Sequence, residues 1–70
     1  MNTNYALSPR DLEIARLAAG GVSARDIAER LFITTNTVKY HLKRVHETLE
    51  VRNRAQLANS LHNHENYPNG

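Results

Sequence analysis

Lys39, Tyr40 and Lys43, with Asn36 just ahead of them, set two ammonium groups, a phenol and an amide within about two helical turns. They supply hydrogen-bond donors and a ring with a stacking face, groups that suit the base edges of a nucleic acid. At about 100° per residue they fall on one side of a helix, while Val38, Leu42, Val45 and Leu49 form a narrow apolar stripe on the other. Thr37, His41 and Arg44 run along one flank, where a hydroxyl, an imidazole and a guanidinium suit phosphate oxygens. Such a helix turns one face to a core and holds the other out to a polyanion. On charge alone, a solvated basic face fits equally well.

The net charge of +2 is unevenly spread over the 70 residues. Residues 1–36 hold four arginines and four acids, which cancel. Residues 37–54 hold Lys39, Lys43, Arg44, Arg52 and Arg54 against Glu47 and Glu50, with His41 and His46 in addition. The positive field therefore belongs to one segment, as expected of a surface that meets a polyanion.

The elements that must position this segment can be read from their caps. Leu7-Ser8-Pro9 with Asp11 and Leu12 joins an N-cap, a proline at the first helical position, a first-turn acid and an apolar staple pair. Val22-Ser23 with Asp26 and Ile27, and Ile33-Thr34 with Val38, repeat the arrangement. Asn53 with Gln56 three residues on is a capping box with no apolar residue before it. The reading is an all-α, compact four-helix domain with helices at about 9–19, 24–31, 35–49 and 54–62. The core is expected from Ile14, Ala15, Leu17, Ala18, Ile27, Ala28, Leu31, Val38, Leu42, Val45, Leu49, Val51, Leu57 and Leu61, with Phe32 as a core plug between helices. Residues 1–6 and 63–70 read as flexible ends around a single domain at 7–62.

Only Phe32-Ile33-Thr34 separates the second and third helices, so the third is expected to protrude as in a helix-turn-helix. The N-termini of these two helices, with Ser23, Thr34 and Thr37, add N–H and hydroxyl groups suited to phosphates. On the fourth helix, Ala55, Ala58 and His62 lie beside the core-facing Leu57 and Leu61, where a second subunit can approach closely. Burial of Ala58 within the monomer is the alternative.

Other chemistries find little support. There is no cysteine, Ser8 and Ser23 are explained as caps, and no glycine-rich phosphate loop occurs, so no catalytic role is assigned. No metal or other cofactor is expected: His41 and His46 point in different directions, and His62, His64 and Glu65 sit at a helix end whose dipole suits histidine. No apolar run approaches a membrane span and no leader is evident, so a cytoplasmic protein is expected.

The stretch "LSPRDLEIARLAAGGVSARDIAERLFITTNTVKYHLKRVHETLEVRNRAQL" resembles the DNA-binding domain of LuxR/GerE-type helix-turn-helix regulators over residues 7 to about 62. The resemblance rests on "SPRDLEI", on the spacing from Gly21 through "IAERLFI", on "TVKYH" at Thr37 to His41, and on Leu49, Val51, Asn53, Arg54 and Gln56. It implies a sequence-specific transcription regulator whose third helix reads the major groove of double-stranded DNA, with a homodimer contact through the fourth. By position it makes Lys39, Tyr40 and Lys43 base readers, and Thr37, His41 and Arg54 phosphate or supporting contacts.

Three positions depart from the family pattern. Glu50 stands where glycine is usual, at a site often left-handed, for a cost of about 1 kcal/mol. Asp11 replaces the usual glutamate, and Leu12 takes a usually polar place, either as staple partner of Leu7 or as an exposed contact. Family members usually carry an upstream regulatory domain, for which 70 residues leave no room, so a stand-alone regulator or an excised piece is expected. The rival function is a protein-binding antagonist that pairs with related regulators through the fourth helix.

Overall fold

The computed structural model describes residues 7–66, with side chains through residue 62. Four helices follow in order: α1 at Pro9–Ala19, α2 at Ala24–Leu31, α3 at Thr35–Leu49 and α4 at Arg54–Asn66. No strand occurs among the described residues. The first three sets of bounds agree with the caps in the sequence. Helix α4 runs four residues further than expected, because neither glycine nor proline falls between Leu61 and Asn66 to stop it. Of the flexible ends expected at 1–6 and 63–70, residues 63–66 instead continue α4, and residues 1–6 and 67–70 lie outside the described residues.

Each expected cap is made. Ser8 Oγ accepts from the Asp11 N–H at 3.0 Å while the Asp11 carboxylate accepts from the Ser8 N–H at 2.9 Å, a complete capping box. Ser23 and Thr34 accept from the N–H groups of Asp26 and Thr37. At α4, Asn53 Oδ1 accepts from the Gln56 N–H, but Gln56 Oε1 reaches past Asn53 to the N–H of Arg52 at 2.7 Å. The expected reciprocal bond is thus displaced by one residue.

Helices α1, α2 and α3 share one way of ending. The N–H groups of Val22, Ile33 and Val51 donate to the carbonyls of Leu17, Ala28 and His46, five residues back, across Gly21, Phe32 and Glu50 at φ +97°, +59° and +58°. These are Schellman closures, and only the first has glycine at the left-handed position. Val22 and Ile33 each pack on the core and also lead directly into the next cap. Glu50 further places a negative charge at the carbonyl end of α3, which the helix dipole disfavours. Glu50→Gly is expected to raise stability by about 0.5–1 kcal/mol after the added freedom of the unfolded chain is counted. A thermal melt should then move up by about 2–8 °C; no upward shift would show that the Glu50 side chain makes a compensating contact.

The core is formed by Ile14, Ala15 and Ala18 of α1, Ile27 and Ala28 of α2, Val38 and Val45 of α3, and Leu57 and Leu61 of α4. Leu17, Leu31, Leu42, Leu49 and Val51, also expected in the core, are half-buried around it. Leu7 and Leu12 pack against the core as well, both half-buried. Phe32 overturns its expectation as a core plug, being 94% exposed. It occupies the left-handed corner of the turn and faces solvent, and Ile33 packs on the core instead. Helix α3 rests mainly on α1 and α2 and also meets α4, and the side that carries Asn36, Lys39, Tyr40 and Lys43 stays open.

Candidate nucleic-acid interface

Burial of Val38 and Val45 fixes the rotation of α3 about its own axis. Asn36, Lys39, Tyr40 and Lys43 are then all exposed on its far side, with Tyr40 58% exposed. Glu47, weighed in the sequence only as part of the segment's charge, continues the same face one turn beyond Lys43 and lowers its positive charge. At the N-terminus of α3, the Thr34 and Thr37 hydroxyls lie 2.9 Å apart. That bond uses one of their two protons, so the other can still donate. Ser23, at the start of α2, is exposed, and its hydroxyl oxygen serves the cap.

The flank of α3 behaves differently from its face. Asp11 of α1 is 1% exposed, and its carboxylate gathers three donors. His41 Nδ1 bonds to Oδ1, while the Ser8 N–H and Arg44 Nε meet Oδ2 at 2.9 and 3.3 Å. Because an ionised carboxylate only accepts, the His41 proton sits on Nδ1 and Nε2 is left as the ring's other polar atom. Burial pushes the Asp11 carboxyl up, but the bonds from His41, the Ser8 N–H and Arg44 outweigh it and hold it below its ordinary value of 3.8. The Arg44 guanidinium is held above its ordinary value by its bond to Asp11, then by that charge, with Tyr40 adding to the effect. The Tyr40 ring stands edge-on to His41, with centroids 5.4 Å apart and planes at 71°, and Arg44 Cζ lies 6.0 Å from its centre.

A pH dependence follows from the lowered Asp11 carboxyl. The unfolded chain takes up this proton at higher pH than the folded one, so the stabilisation is complete above pH about 3.8 and is lost as pH falls through the lower folded value. Urea midpoints taken from pH 6 down to pH 3 should fall on that acid limb, and Asp11→Asn should flatten it. An unchanged acid limb in Asp11→Asn would remove Asp11 as its cause.

The sequence marks Asp11 as a first-turn acid in place of the usual glutamate and shows nothing of its partners. Its partners are 30 and 33 residues away, beyond any local pattern. The available signal was that His41 and Arg44 share the flank next to the apolar stripe, where side chains meet a neighbouring helix. Arg54, expected near phosphates, donates from Nη1 to the Ala18 carbonyl at 3.3 Å and ties the start of α4 to the end of α1. On α4, Ala55 and His62 are exposed and Ala58 is half-buried. Ala58 and His62 border a shallow groove of about 350 Å³ against Arg16, Ala19 and Gly20 of α1.

Among the described residues no group of His, Asp and Glu gathers to hold a metal ion, and no helix is long and apolar enough to cross a membrane.

The family model of bacterial regulatory proteins, luxR family, matches residues 5–61. The chain belongs to this luxR family. Among luxR-type relatives, the HTH-type transcriptional regulator AlkS of Alcanivorax borkumensis is 36% identical over 55 residues, which are 79% of this chain and 6% of AlkS. The transcriptional regulatory protein LiaR of Bacillus subtilis is 42% identical over 57 residues, 81% of this chain and 27% of LiaR. The two-component response regulator PprB of Pseudomonas aeruginosa is 44% identical over 55 residues, 79% of this chain and 20% of PprB. The chain thus covers less than a third of the length of each of these relatives.

Proposed function

We propose that the chain is a sequence-specific DNA-binding transcription regulator whose α3 enters the major groove. The observation that carries this reading is the exposed face of Asn36, Lys39, Tyr40 and Lys43 on a helix whose opposite side is locked into the core of a luxR-family domain. These four residues read base edges. Ser23, Thr34, Thr37, His41, Arg44 and Arg54 contact or support contacts to the phosphates on either side. The relatives named as transcriptional regulators support the regulatory role. Their greater length supports a further regulatory domain or a related regulator as a partner.

The protein acts as a homodimer through Ala55, Ala58 and His62 of α4, on a roughly two-fold symmetric site. Two small alanine side chains on one stretch of α4 let a second backbone come close, which supports this pairing.

The test is selection from a pool of random duplexes, read by sequencing and repeated from low to near-physiological salt. A palindromic motif is expected, with affinity that falls steeply as salt rises. Equal, weak binding to every duplex would sink the proposal.

A further inference from the structure

Asp11 is too deeply buried to touch DNA, yet it holds two residues of the helix proposed to read it. Those two, His41 and Arg44, both meet the exposed Tyr40 ring, one edge-on and the other over its face. We infer that Asp11 is a positioning residue: from α1 it fixes His41 and Arg44, and through them the orientation of Tyr40 on the reading face. This rests on the DNA-reading function proposed above.

An unrestrained tyrosine on a helix surface samples several rotamers, and an unrestrained arginine many more. Ordering them on binding costs free energy that a pre-set side chain has already lost on folding. Asp11 also neutralises Arg44 locally. Without that carboxylate, the charge of Arg44 is no longer offset at the flank, which strengthens attraction to the phosphates of any sequence while Tyr40 loses its fixed aim. Discrimination and general affinity therefore move in opposite directions when Asp11 is neutralised. A purely structural Asp11 would instead lower the folded fraction and leave the preference among sequences unchanged.

The full chain, Asp11→Asn, Asp11→Glu, Arg44→Met, Tyr40→Ala and the Asp11→Asn/Tyr40→Ala double variant are titrated with the selected motif, single-base-pair variants of it and an unrelated duplex. Circular dichroism defines the temperatures at which each is folded. In Asp11→Asn, discrimination is expected to fall about tenfold at the base pairs that Tyr40→Ala makes indifferent. Binding to the unrelated duplex should hold or rise, with a salt slope steeper by up to about one unit. Asp11→Glu should restore discrimination, and the double variant should discriminate no worse than Tyr40→Ala alone. A folded Asp11→Asn chain with wild-type discrimination overturns the inference, as does a loss shared equally by all base pairs. Should Asp11→Asn not fold, Arg44→Met decides, because it cuts one of the two links to Tyr40 and leaves the other, His41, on Asp11; unchanged discrimination there overturns the inference, which needs both. A wild-type chain that enriches no motif sinks the DNA reading itself, whereas a discriminating wild type with an equally discriminating Asp11→Asn removes only the role of Asp11.

Discussion

Asp11→Ala is expected to cost about 2–4 kcal/mol of folding free energy, read as a drop in urea midpoint with little change in slope. The substitution removes three accepted hydrogen bonds at once. It opens the capping box of α1 at Ser8 and leaves His41 and Arg44 facing a buried site without their carboxylate. The Ser8 N–H then keeps only what water can reach. Arg44 is the weakest of the three arms, since its side chain is 40% exposed and solvent screens it, so the estimate stops short of the full cost of breaking a buried ion pair. For a domain of this size, total stability is about 4–10 kcal/mol, so the loss is a large share of what holds it folded. A cost below about 0.5 kcal/mol would mean that the cluster contributes nothing net and that burial of the carboxylate cancels its bonds.

The second large effect concerns binding and leaves folding almost untouched. Reversing both charges with Lys39→Glu and Lys43→Glu is expected to abolish motif enrichment and to flatten the salt slope by about two units. If each lysine makes a good base contact, about 2–6 kcal/mol of preference for the motif goes with them. Both residues are exposed, so stability should change by no more than about 0.5 kcal/mol. Equilibrium titrations of wild type and double variant, at matched salt and beside a melt of each, separate the two effects. A double variant that keeps its motif would move base reading away from this face of α3.

What could be read in the sequence was what local chemistry decides. Ser8, Ser23 and Thr34 bond to N–H groups only three residues away, so their type and spacing already mark where α1, α2 and α3 begin. Val38 and Val45 lie on one stripe, and their burial turned Lys39, Tyr40 and Lys43 outward as expected. What escaped depends on groups that meet only after folding. Asp11 meets His41 and Arg44 because α1 packs on α3, and no periodicity within either helix records that. Phe32 misled because hydrophobicity argues for burial, while the left-handed corner that it occupies aims its side chain at solvent. The end of α4 was missed because a polar run carries no stop signal of its own.

The double use of Val22 and Ile33 has a consequence for how such a domain can diversify. Each residue closes one helix and opens the next, so neither connection contains a spare position. One residue inserted there must break a closure or a cap, and if absorbed into α3 it would swing the outward side chains by about 100° away from any groove they fit. Length variation is therefore shut out between α1 and α3, and new binding preferences must arise by exchange of single side chains on a frame of fixed angles.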